Sequence, residues 1–100
     1  MNRQKPTVSN SRKGKKKVVF GYRGEPGCQV CVAGSFNDWS PTAKPLVDKD
    51  GSGEYQAVAM LPRGRHEYKF VIDGVWRVDP QCADWAPNDC GSINSVLIVE

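Results

Sequence analysis

Every apolar stretch in this sequence is short and closed by a cluster of turn formers, and that punctuation argues for a sheet protein. Val18-Val19-Phe20-Gly21-Tyr22 runs into Arg23-Gly24-Glu25-Pro26-Gly27, and Gln29 to Gly34 runs into Ser35-Phe36-Asn37-Asp38-Trp39-Ser40-Pro41. The apolar residues are mostly β-branched, with twelve valines against three leucines. Such side chains lose rotamer freedom in a helix and pack well on a pleated surface. A chain of 100 residues holds one core and is too short for two.

Further along, Leu46-Val47 predicts a short edge strand and Asp48 to Gly53 a polar turn. Glu54 to Leu61 and His66 to Asp73 read as a hairpin around Pro62-Arg63-Gly64-Arg65. Alternation in its second arm sends Tyr68, Phe70 and Ile72 to the core and Glu67, Lys69 and Val71 outward. His66 shares the inward parity, as a structural residue rather than a catalyst. Asp73-Gly74 is a turn, Val75 to Val78 a short strand, Asp79 to Gly91 an irregular stretch, and Ser95 to Val99 the last strand. About seven short strands without a helix predict an all-β, immunoglobulin-like antiparallel β-sandwich, because one sheet alone would leave an apolar face wet.

Charge divides the chain. Residues 1 to 17 carry seven of the fourteen Lys and Arg and no acid, so the rest sets seven bases against eleven acids, a net −4. The expected organisation is a flexible basic arm over 1–17, too poor in apolar side chains to order itself, and a folded module over 18–100. The arm offers nucleic acid only non-specific attraction. No apolar run nears the roughly 20 residues of a membrane span, and no apolar stretch follows the basic start, so the expectation is a cytoplasmic protein without a membrane partner. Cys28 and Cys31 resemble half a zinc site, but in a strand they point to opposite faces, and no second tight pair completes four ligands. Free thiols without metal are expected; a Cys82–Cys90 disulfide stays open.

Three segments in order carry a resemblance: Val32-Ala33-Gly34-Ser35-Phe36-Asn37-Asp38-Trp39, Gly64 to Trp76, and Gly91-Ser92-Ile93-Asn94-Ser95-Val96. Together they resemble the family-48 carbohydrate-binding modules, which include the glycogen-binding domain of the AMP-activated protein kinase β subunit and the N-terminal modules of glucan-branching and isoamylase-type debranching enzymes. The resemblance covers about residues 18–100. It implies binding of α-1,4-linked glucan, as glycogen, starch or maltooligosaccharide, by Trp39, Trp76, Lys69, Ser92 and Asn94, with no cofactor and no metal. Ser92 stands where the family has threonine and keeps the hydroxyl; Cys90 stands where it has leucine or an aromatic. Trp85 has no counterpart and is either a core anchor or an extra sugar platform.

The residue types suit that ligand on their own terms. A glucan presents flat patches of ring C–H and a fringe of hydroxyls, so indoles supply stacking area while a lysine and an amide satisfy hydroxyls that lose water. The alternative is a structural or targeting module that packs against a glucan-metabolising enzyme or other protein partner without strong sugar binding. Catalysis is disfavoured: glycoside hydrolysis needs two carboxylates about 5 to 10 Å apart in a cleft, and the acids here fall mainly in turns, as Asp48, Asp50, Asp73 and Asp84 do.

Overall fold

The computed structural model describes residues 15–88 and 91–100. Eight strands follow one another: β1 (Lys15–Arg23), β2 (Val30–Gly34), β3 (Pro45–Leu46), β4 (Glu54–Pro62), β5 (Gly64–Ile72), β6 (Val75–Arg77), β7 (Trp85–Pro87) and β8 (Ile93–Val99). They form two antiparallel sheets, β1-β4 and β3-β2-β5-β8-β7, with β6 paired to β5 beyond the end of β8. No helix occurs among the described residues, so the all-β sandwich class holds.

The core lies between the sheets, where period-2 alternation delivers it. Phe20 comes from β1, Val30 and Val32 from β2, Tyr55 and Leu61 from β4, and Tyr68 and Phe70 from β5. Phe20 and Phe70 each meet Tyr68 at an edge-on tilt, with ring centroids 5.1 and 5.8 Å away, the geometry that ring quadrupoles favour. Tyr68 donates its hydroxyl proton to Asp79 Oδ2 at 2.6 Å, and the Asp79 amide donates to Ser95 Oγ at 3.0 Å. Those two bonds pin the irregular stretch after β6 to the core; burial and the Asp79 carboxylate push the Tyr68 hydroxyl far above its ordinary pKa.

Several expectations need correction. The pair around Pro62 to Arg65 is not a hairpin: β4 bonds to β1, whereas β5 bonds to β2, β6 and β8. Both strands run further than expected and leave only Arg63 between them, fewer than the two residues a hairpin turn requires. The chain instead turns the corner from one sheet to the other, with Gly64 at φ +128°, a conformation cheap only for glycine. The true tight hairpin joins β5 to β6: Ile72 pairs Val75, and Asp73 and Gly74 both have positive φ, 50° and 84°, as a two-residue type I′ turn demands. β1 begins at Lys15, not Val18, with Lys15, Lys16 and Lys17 opposite Pro62, Leu61 and Met60. Residues 1–14 of the expected arm lie outside the described residues. The stretch before β8 contains the short strand β7. Cys90 also lies outside the described residues, and the question of a Cys82–Cys90 bond with it.

Candidate functional site

The six-stranded sheet is buried over one patch of its outer side as well as on its inner one. Cys31 and Ala33 of β2 and Val71 of β5 form a second apolar cluster there, and Trp39 lies against it. Val71, assigned outward by alternation, does point outward, yet it is only 5% exposed because this indole lies over its patch. Cys28 packs against the inner core instead, so Cys28 and Cys31 do take opposite faces.

Trp39 is set by its backbone. Gly34 ends β2, and the Asn37 side chain brackets that end, accepting from Gly34 N at 3.0 Å and donating to the Val32 carbonyl at 3.1 Å. Asn37 N and Trp39 N both donate to the Gly34 carbonyl. Asp38 and Trp39 are thereby held at φ 57°, a left-handed conformation costing roughly 1–2 kcal/mol for a residue with a Cβ. Strain of that kind persists where surrounding bonds over-determine it, and it clusters at binding sites. Gly34 itself admits no side chain, since a Cβ there would meet Phe36 at 2.5 Å and the Glu67 carbonyl at 2.6 Å.

Opposite Trp39, the type I′ hairpin places Trp76 across from Val71 and so on the outer face, 43% exposed. Lys69 of β5 pairs with Ala33 of β2 on the same face. Its Nζ donates to Ser92 Oγ at 2.9 Å. Asn94 enters from β8 and is 6% exposed, its amide donating to Glu67 Oε1 at 2.9 Å and accepting from Asn88 Nδ2 at 3.1 Å. All five expected residues, Trp39, Lys69, Trp76, Ser92 and Asn94, line one open cleft of about 760 Å³, within the usual range for small-molecule sites.

Ser35, Arg65, Glu67, Pro87 and Asn88 line the cleft too, and sequence reasoning did not select them. For Arg65 and Glu67 a signal existed, because they share the outward parity of Lys69. For Asn88 none did, since its role follows from a fold-back in which Asn88 N donates to the Ser92 carbonyl and Ser92 N to Asn88 Oδ1. The Asn94 amide and the Arg65 guanidinium hold the Glu67 carboxyl below the usual carboxylate range. Trp85 stands apart from the cleft and is 61% exposed, so it is not a core anchor. His66, on the inner side, bonds through Nε2 to the Pro62 carbonyl at 2.8 Å and meets Phe36 at a ring edge.

A β-sandwich carrying two partly exposed indoles across a wide, uncharged-to-mildly-basic cleft belongs with modules that recognise sugars by stacking and hydroxyl bonding. The comparison with known families agrees. The family described as the glycogen recognition site of AMP-activated protein kinase matches residues 16–100, and this chain belongs to that family. Among curated relatives, 76 residues are 38% identical to the 5'-AMP-activated protein kinase subunit beta-2 of Mus musculus and of Homo sapiens, over 76% of this chain and 27% and 26% of theirs. The beta-1 subunit of Sus scrofa is 35% identical over 83 residues, 83% of this chain and 63% of that one. The chain spans about a quarter of the length of the beta-2 relatives it matches. Among the described residues no helix is long and apolar enough to cross a membrane.

Proposed function

We propose that the outer-face cleft binds α-1,4-linked glucan, with Trp39 and Trp76 stacking on successive sugar rings and Lys69, Ser92 and Asn94 bonding the hydroxyls between them. The observation that carries this reading is convergence: five residues from one loop, three strands and a turn, chosen by chemistry and resemblance, border the same cleft. A bound chain lies across the sheet, and the protein as a whole acts by docking on glycogen or a related polymer rather than by catalysis. The expected result is retention on glycogen and amylose with little on cellulose, since α-linked chains curve and β-1,4 chains lie flat. Equal retention on both polymers would falsify the specificity.

One observation favours an additional protein partner. On the side of the β1-β4 sheet away from the core, Val19 pairs with Val58 beside Met60, and these three are 53%, 48% and 49% exposed. The relatives are subunits of a kinase, and by that likeness the partner is a kinase subunit or a glucan-metabolising enzyme. Co-purification that survives Val58→Lys would count against this face as the contact.

A further inference from the structure

The polar floor of the cleft is one directed chain of hydrogen bonds. Arg65 Nη1 donates to Glu67 Oε2 at 2.6 Å, and Asn94 Nδ2 to Glu67 Oε1 at 2.9 Å. Asn88 Nδ2 donates to Asn94 Oδ1 at 3.1 Å, Ser92 N to Asn88 Oδ1 at 3.0 Å, and Lys69 Nζ to Ser92 Oγ at 2.9 Å. The direction follows from chemistry. A guanidinium and an ammonium only donate, and an ionised carboxylate only accepts. The Asn94 side chain must therefore turn its NH2 to Glu67 and its oxygen to Asn88, and Ser92, whose oxygen accepts a hydrogen bond from Lys69 Nζ, keeps its own hydroxyl hydrogen to donate to the cleft.

We propose that Glu67 is a positioning residue for the cleft, its carboxylate clamping the nearly buried Asn94 amide in the one orientation that also suits Asn88 and the Ser92 N–H. Asn94 is the group at stake because an amide is nearly symmetric in shape and opposite in polarity at its two ends; the Ser92 N–H, which only donates, orients it through Asn88 from one side, and Glu67, which only accepts, holds it directly from the other. Glu67 suits the task. It lies on rigid β5, with its backbone N–H bound to Ser35 Oγ at 3.1 Å, and Arg65 restrains its other oxygen. The ligand hydroxyls then meet a prearranged pattern of donors and acceptors, so less binding free energy is spent on ordering the site.

This inference rests on the glucan reading, and a pair of near-isosteric variants separates the two. Glu67→Gln keeps an oxygen able to accept from Asn94, while Glu67→Met keeps the length and removes the acceptor. Titration with maltoheptaose should show Glu67→Met weaker by about tenfold or more, the worth of a hydrogen bond to a charged group. Glu67→Gln should stay within about threefold of the original chain, the size of an ordinary surface change. Both should melt near the original, because Glu67 lies outside the core. In the free protein, the Asn94 side-chain amide protons should exchange slowly with solvent in the original chain and in Glu67→Gln, and faster in Glu67→Met, where they lose their acceptor. If the original chain binds and Glu67→Met binds equally well, the positioning role is wrong and the glucan reading stands. If the original chain does not bind maltoheptaose, the glucan reading falls, and the amide exchange alone decides the positioning role: identical Asn94 exchange in all three proteins would overturn it.

Discussion

The two faces of β5 do different work with adjacent residues. Inward, Tyr68 and Phe70 are 5% and 0% exposed in an aromatic core; outward, Glu67 and Lys69 bond to side chains of β8 and the turn before it. Because side chains alternate, each residue belongs wholly to one task, and changes on the two faces should separate folding from binding. Val71 blurs this separation, being outward yet buried beneath Trp39.

The largest effect should come from breaking the inner face. Phe70→Ala is expected to cost about 3–5 kcal/mol of folding stability, read by denaturant unfolding; a cost near zero would mean that the core is elsewhere. Next comes the cleft wall that touches no core. Trp76→Ala should lose about 2 kcal/mol of glucan binding, roughly thirtyfold, while stability shifts within about 0.5 kcal/mol, and calorimetric titration beside thermal melts reads both. Trp39→Ala sharpens the contrast because its ring covers Ala33 and Val71: a similar binding loss should come with about 1–2 kcal/mol of stability, the value of partly uncovering apolar area. Two indole variants with equal stability losses would contradict the asymmetry drawn here. Lys69→Ala should weaken binding by about 1 kcal/mol, the scale of one hydrogen bond, with an unchanged melt.

The smallest effect is acid sensitivity. The folded-state pKa of Glu67 is depressed, so its contribution is fully present above the ordinary value of 4.5 and is lost as pH falls through the lower folded value. Melting temperature should be flat near neutrality and decline below about pH 4.5, with a shallower decline in Glu67→Gln. An equal decline in both proteins would remove Glu67 from the account.

How much was legible in the sequence follows the same division. Alternation alone assigned Tyr68, Phe70, Glu67 and Lys69 to their faces, because period 2 is a local property. The β4-β5 connection was misread because its meaning depends on where two strands stop, and Pro62 and Gly64 extend both beyond their apolar runs. The protection of Val71 was invisible because it comes from a loop 32 residues earlier in the chain. Of the cleft, Trp39, Lys69, Trp76, Ser92 and Asn94 were singled out by residue type and resemblance, and all five border it. Asn88 was not, since an asparagine in a polar stretch carries no mark of the side chains it will meet after the chain folds back.

The left-handed backbone at Asp38 and Trp39 has a consequence for how the cleft works as a grip. One jaw is cast before any ligand arrives, its angle fixed by Asn37 and the end of β2. The other jaw is Trp76, on a strand of three exposed residues that, among the described residues, pairs only with β5. On the glucan reading proposed above, a stiff anvil facing a springier arm would close on chains of different curvature without losing its reference surface. Order parameters of the two indole N–H groups would register the difference, low for Trp76 and high for Trp39.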